Sequence, residues 1–268
     1  QAPDEATGTD AILVAAGIEA VSEGDFSSSS NATKLSFKTG ASEAAAEKMS
    51  LSSAGVLTVS STITANSQDV ILGKFGGTNF SNSMLIGHAT TGTLSTATNN
   101  IGIGVTTLDA LTSGDKNVAV GVSALTACTE GLRNLAFGNE SLEGVTTGDD
   151  NVGIGDSAGY YNSTGDLNVA IGKSAMQGAS GQSNSHNTAI GGDAFKVITT
   201  GGRNIGIGYQ AGDNLTSGSG NVIIGSVDAG SATGSRQLLI SGNDGSTTTT
   251  WISGDSSGVV TLADDLVI

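Results

Sequence analysis

NIGIG at 100–104, NVAVG at 117–121, NLAFG at 134–138, NVGIG at 151–155, NVAIG at 168–172, NTAIG at 187–191, NIGIG at 204–208 and NVIIG at 221–225 are one pentapeptide written eight times. The copies start at Asn100, Asn117, Asn134, Asn151, Asn168, Asn187, Asn204 and Asn221, and six of the seven intervals are 17 residues. The remaining interval is 19, with the extra pair assigned to the polar stretch Gln182-Ser183-Asn184-Ser185-His186. Self-similarity at a fixed period is the mark of a solenoid or stacked array. It decides the fold class before any other feature is read.

With the Asn as position zero, positions one and three are nearly always large and aliphatic, and position two is Gly or Ala in seven of eight copies. Period-two alternation predicts a strand with one face packed on bulky neighbours and a second face small enough for another backbone to approach. Position four is Gly104, Gly121, Gly138, Gly155, Gly172, Gly191, Gly208 and Gly225, where the chain must turn without a Cβ. Position seven is small and position eight often bulky (Leu108, Leu125, Leu142, Met176, Phe195), which predicts a second short extended segment and a tight corner. Gly at position fourteen in six of eight copies predicts the loop that climbs to the next rung. Stacked rungs lie about 4.8 Å apart, so equivalent positions form columns. The Asn amides are then placed to hydrogen-bond copy to copy.

The clock extends backwards to Ser83-Met84-Leu85-Ile86-Gly87, a degenerate copy with Ser in place of Asn, and it fades after Asn221, where Arg236 to Ile240 falls out of register. This divides the chain into an N-terminal β module at 1–63, a transition at 64–99 with the degenerate repeat at 83–99, the array at 100–234 and a C-terminal hairpin module at 235–268. Ser53-Ala54-Gly55-Val56-Leu57-Thr58-Val59 and Ser256-Ser257-Gly258-Val259-Val260-Thr261-Leu262 echo each other. Each predicts one arm and the turn of a hairpin. Lys34 to Thr39 reads as a strand, Asp10 to Val21 as strand and loop, and Ser42 to Met49 carries an N-cap Ser and helix formers that allow a turn or two of helix.

Composition narrows the function classes. With 41 Gly, six Phe, three Tyr and one Trp in 268 residues, the chain lacks the large side chains of an ordinary globular core. The net charge of −15 argues against nucleic acid, whose phosphates need Lys and Arg patches. Cys128 is the only cysteine, so no intrachain disulfide or cysteine zinc site can form. No apolar run is long enough for a membrane helix, so no membrane insertion is expected. The opening at Gln1, and the close on Leu266-Val267-Ile268 inside a strand pattern, point to a piece of a longer polypeptide. About three large apolar side chains per 17-residue rung make a thin core. Sharing that core among parallel chains predicts a homotrimer.

The units NVAVGVSALTACTEGLR at 117–133 and NVAIGKSA at 168–175 resemble the NxAxG-type β repeats of bacteriophage tail fibres and related virion appendages. They are more distantly similar to the heads of trimeric autotransporter adhesins, which carry SVAIG-type strands in a left-handed β-roll. The 17-residue period and the Asn differ from the adhesin pattern, which leaves handedness open. The hairpins SSAGVLTV and SSGVVTL resemble the pieces that flank such arrays in phage fibres. The resemblance implies an all-β, fibrous, trimeric segment with a structural, non-catalytic role in host attachment. It implies a virion or cell-surface location, with other virion or appendage proteins and a host surface receptor or glycan as partners. A bacterial surface adhesin or extracellular filament subunit is the second reading, and a glycan-degrading tailspike the third.

For catalysis the candidates are Asp149, Asp150, Asp156 and Asp166, which sit in recurring GD turns, and Asp is a standard turn residue. His88 and His186 are the only histidines, with no partner for a catalytic centre, and His186 is expected on an outward bulge at the insertion. The calcium-binding GGxGxD repeat and the phosphate loop GxxxxGK[ST] are both missing, so no metal or cofactor is expected. Tyr160-Tyr161 is the one aromatic pair in the array, and ordinary packing or surface roles are assigned to it and to Cys128.

Overall fold

A computed structural model describes residues 16–24, 32–39, 46–55, 57–59, 64–65, 68–69, 73–75, 79–87 and 91–263. Positions 10–15, 42–45, His88 and 266–268, on which some of the sequence expectations fall, lie outside them. The described residues contain strands and turns and no helix. The chain divides into two compact units, residues 1–70 and 71–268.

The first unit holds four antiparallel strands in chain order, Ala16–Ser22, Thr33–Thr39, Ala46–Leu51 and Leu57–Val59, with a short hairpin of Thr64–Ala65 and Gln68–Asp69. The expectation of helix at 42–49 is overturned where it can be seen, because Ala46–Leu51 pairs with Thr33–Thr39. Lys34 Nζ and Ser36 Oγ both reach Glu47 Oε2, at 2.7 and 2.9 Å. Cross-strand partners outweigh the helix propensity of Ala and Glu here. The Ser52–Gly55 turn, with Gly55 donating to the Ser52 carbonyl at 3.0 Å, joins the last two strands as a hairpin.

The second unit is a β-solenoid. Its thirteen-stranded sheet begins with Gly73–Phe75, antiparallel to Met84–Ile86, and ends with the antiparallel strands Thr248–Gly254 and Val260–Leu262. Between these, every strand from Met84–Ile86 to Leu238–Asn243 pairs in parallel with the equivalent residues of the next repeat, as in Val152↔Val169 and Ile154↔Ile171. The degenerate repeat at Ser83 is therefore a true rung. Antiparallel strands at both ends of the stack occupy the sheet edges, where bare backbone would otherwise template aggregation.

The stack also continues where the sequence suggested it stopped. Leu238, Leu239 and Ile240 pair with Val222, Ile223 and Ile224, and Gln237 stands in the Asn position after an interval of 16. Its backbone N–H donates to Asn221 Oδ1 at 2.8 Å and its Nε2 donates to the Gly234 carbonyl at 3.0 Å. One side-chain methylene more offsets one backbone residue less. The 19-residue interval is corrected too. Gly178 still pairs with the next rung and Ser183 is level with Thr164, so the extra residues form the exposed turn at 179–181.

Burial reverses the expected faces of the rung. Position two points into the coil: Ala119, Ala136, Ala170 and Ala189 are buried beside Leu108, Leu125, Leu142, Phe195 and the position-eleven residues Leu111, Cys128, Val145 and Ile198. Positions one and three point outward and are half-buried or exposed in every rung. The small residues thus admit side chains, not a neighbouring backbone. A Cβ on Gly206 would lie 2.7 Å from the Phe195 ring, and one on Gly153 would lie 2.7 Å from Leu142 Cγ. In two rungs the neighbour makes room with Gly at positions two and eight: Leu142 faces Gly153 and Gly159, and Phe195 faces Gly206 and Gly212. Ile223, the one large residue at position two of the eight Asn-initiated rungs, occupies the space beside Gly212.

Ala170 is buried in this close-packed interior with 1 % exposure. Ala170→Leu is expected to cost about 1–3 kcal/mol by overpacking. Thermal denaturation checks this, and an unchanged Tm would contradict the inward placement.

Candidate functional site

The strongest local chemistry in the molecule is a buried polar column. Each Asn at position zero is buried, and its side chain closes its own rung while gripping the next. Asn134 Nδ2 donates to Asn117 Oδ1 at 3.2 Å and to the Gly148 carbonyl at 2.8 Å, while Asn134 Oδ1 accepts the Asn151 backbone N–H at 3.0 Å and Asn151 Nδ2 at 3.1 Å. The pattern repeats through Asn100, Asn117, Asn151, Asn168, Asn187, Asn204 and Asn221. The position-fourteen glycine supplies the carbonyl for this amide, beyond its expected role as a climbing loop. In the rung with the longer interval Asn184 takes over, with its carbonyl 2.8 Å from Asn168 Nδ2 and its Oδ1 3.1 Å from Asn187 Nδ2. Among the described residues no buried side-chain N or O lacks a partner. Such a fully satisfied network specifies register as well as stability.

The glycines at position four form the second column. All eight have positive φ, from +110° at Gly225 to +143° at Gly138, a region costly for any residue with a Cβ. Each also abuts the backbone of the rung above, so that a Cβ on Gly155 would lie 2.7 Å from the Gly172 carbonyl carbon and oxygen. The expected extended segment after this turn is replaced by a left-handed corner. Positions six and eight have φ near +55°, as at Thr106, Leu108, Ser123 and Leu125.

Two further columns were not singled out in the sequence, the first mostly Thr and the second a mixture of Asp and Ser. At position twelve, Thr112, Thr129, Thr146, Thr199 and Thr216 donate their hydroxyls to carbonyls of the following rung at 2.9–3.2 Å. Two residues before the next Asn, or before Gln237, Asp115, Asp149, Asp166, Ser185, Ser219 and Ser235 accept backbone N–H groups of the preceding rung. Scanning each position for the ability to accept, whatever the residue type, would have found it.

This column accounts for two of the four acids weighed for catalysis. Asp149 Oδ1 accepts from Leu132 N–H at 2.7 Å, and Asp166 Oδ1 from Asp149 N–H at 2.8 Å. Asp150 pairs with Arg133 (Nε to Oδ1, 2.6 Å), and that hydrogen bond holds its carboxyl below the usual range. Asp156 accepts from Asn139 Nδ2 at 3.4 Å. No cluster of three or more His, Cys, Asp or Glu suited to a metal ion occurs among the described residues. His186 belongs to the regular turn before each Asn, with φ +63° and its N–H on the Asp166 carbonyl at 2.9 Å, so the bulge expected at this residue lies instead at 179–181. Cys128 lines the core, and burial pushes its thiol up to about 12.

One carboxylate is perturbed in the opposite sense to Asp150. Burial, then the hydrogen bond and charge of Asp228, then the charge of Asp193, raise Asp213 to about 6, while Lys196 opposes them. Because the folded-state value lies above the unfolded one, the contribution to stability is fully present below about pH 4 and is lost as pH rises through about 6. Asp213→Asn is expected to lose less Tm than the unsubstituted chain between pH 5 and pH 7. Parallel melting curves check this, and equal losses would contradict it.

The outer surface of the solenoid carries an apolar face. Ile101, Ile103, Phe137, Ile154, Ile190, Ile205 and Ile207 are all exposed, Phe137 to 56 %. With the half-buried Val118, Val120, Leu135, Val152, Val169 and Ile171 they form two columns, the position-one column interrupted by Thr188 and the position-three column apolar in every rung. Over seven rungs these make a face roughly 30 Å long on a chain of net charge −15. Contiguous apolar surface on this scale marks an interaction site. No family model, curated protein or solved structure matches the chain. Among the described residues no helix is long and apolar enough to cross a membrane.

Proposed function

We propose that this chain is a non-catalytic structural segment of a bacteriophage tail fibre or similar virion appendage, assembled as a homotrimer and contributing to host-surface attachment. The observation that carries this reading is the outward aliphatic face on a stiff solenoid. A rod with side-chain ladders along its axis transmits load, and its apolar columns need a cover that repeats at the same spacing. A second and third copy, aligned in parallel around a three-fold axis, supply that cover rung for rung. The location is then the virion or another extracellular surface, with other appendage proteins as neighbours.

The core of each rung is closed by one chain, so the trimer rests on the outer columns and not on a shared interior. Light scattering of the purified chain is the test. The expected mass is three times the 26.2 kDa protomer, and Phe137→Lys with Ile154→Lys is expected to give a folded monomer. A monomeric or dimeric unsubstituted chain would overturn the trimer. A downstream membrane-anchor barrel in the parent gene would favour the bacterial adhesin instead. Cleavage of a host capsule by the protein would overturn the non-catalytic assignment.

A further inference from the structure

The array departs most from its own repeat at one place, and the departure surrounds an aromatic pair. Tyr160 and Tyr161 occupy positions nine and ten of the rung that starts at Asn151, with ring centroids 4.4 Å apart and planes at 75°. Tyr161 is 37 % exposed. Its equivalents in the rungs before and after are Gly144 and Gly178, and its own backbone N–H bonds to the Gln177 carbonyl at 3.0 Å. A Cβ on Gly144 would lie 3.4 Å from Tyr161 Cα, and one on Gly178 would lie 3.8 Å from Tyr161 Cβ. The Tyr161 ring therefore stands between two positions that carry no side chain. The extra residues of the 19-residue interval follow directly, as the exposed turn at 179–181 beside Gly178.

The flanking column supplies polar groups. Glu143, Tyr160 and Gln177 are successive position-nine residues, and burial followed by the charge of Glu143 raises the Tyr160 hydroxyl above its ordinary value. Lys196, the next residue in that column, is engaged by Asp193 at 2.8 Å. An exposed ring flanked by glycines in both neighbouring rungs, bordered by a carboxylate and a carboxamide, fits the face of a pyranose. Its C–H groups pack on the aromatic ring and its hydroxyls meet acceptors and donors at the edge. The local carboxylates and the −15 charge disfavour an anionic sugar.

We infer that Tyr161, with Tyr160, Glu143, Gln177 and the turn at 179–181, forms a binding subsite for a neutral pyranose glycan. This rests on the reading of the chain as a surface-contacting fibre segment. The corner at positions six to eight separates the subsite along the chain from the aliphatic columns, so assembly through those columns leaves it open.

The test is binding of the full chain to an array of neutral gluco-, manno- and galacto-oligosaccharides printed beside sulfated and sialylated ones, with light scattering on the same samples. The expected result is binding to a neutral glycan that falls at least tenfold in Tyr161→Ala and is kept in Tyr161→Trp, with Tm and oligomeric mass unchanged. Absence of any neutral binding, binding to anionic glycans alone, or equal binding by Tyr161→Ala would overturn the subsite. A trimer that binds no glycan overturns the subsite alone, whereas a monomer that binds through Tyr161 overturns the fibre assembly alone.

Discussion

Gly155→Ala is expected to split the solenoid's melting into two transitions and to lower the first by roughly 6–12 °C. Two costs combine. Gly155 has φ +132°, a conformation that costs about 1–3 kcal/mol with a Cβ, and the new methyl would lie 2.7 Å from the carbonyl of Gly172 and 3.1 Å from the Lys173 nitrogen. The obstacle is backbone, so it cannot swing aside as a side-chain tip could. A total of about 3 kcal/mol corresponds to that temperature shift for a chain of this size. In a solenoid each rung touches only its neighbours, so a fault in the middle uncouples the two halves. Calorimetry checks the expectation. A single transition at the original temperature would show that the glycine column is not held this tightly.

Asn151→Leu is expected to be at least as damaging, at about 4 kcal/mol or more. The substitution keeps the size of the side chain and removes four hydrogen bonds at once. Asn168 N–H and Nδ2 lose their acceptor, at 3.1 and 3.0 Å, while Asn134 Oδ1 and the Gly165 carbonyl lose their donor, at 3.1 and 2.8 Å. Each buried group left unpaired costs about 1–3 kcal/mol. Asn151→Asp separates polarity from packing. It keeps the acceptor for Asn168 but turns a carboxylate oxygen toward Asn134 Oδ1 and the Gly165 carbonyl. That repulsion raises the folded-state carboxyl above its unfolded value. Stability should therefore recover as pH falls and the protonated acid becomes a donor. Melting curves at pH 4 and pH 7 read this, and a variant equally stable at both would contradict the placement of the amide.

The repeat clock, the strand at positions one to three, the Asn column and the hairpin modules were legible because each depends on spacing, which the sequence displays directly. Which face of the strand is buried was not, since period-two alternation is the same whichever way the strand is turned. The coil answers it sterically. Its narrow interior already holds residues such as Leu142 and Phe195 from position eight, so only Gly or Ala fits at position two of the rung beside them. Gln237 was hidden because residue type and interval changed together, each offsetting the other. Ala46–Leu51 was misjudged because its strand pairing with Thr33–Thr39 is non-local. The Tyr161 surroundings were half visible: the tyrosines stood out in the sequence, but the flanking Gly144 and Gly178 come beside the ring only once the rungs are stacked.

The outward aliphatic columns carry the functional account, and pulsed electron spin resonance on a single label at Ile154→Cys, in a Cys128→Val background, addresses them most directly. Association through this face predicts an inter-copy distance distribution peaking below about 20 Å, set by two label tethers across interaxial packing of about 10 Å between sheets, with a modulation depth of three coupled spins. No inter-copy distance, or one that appears only for labels placed elsewhere on the coil, would contradict it.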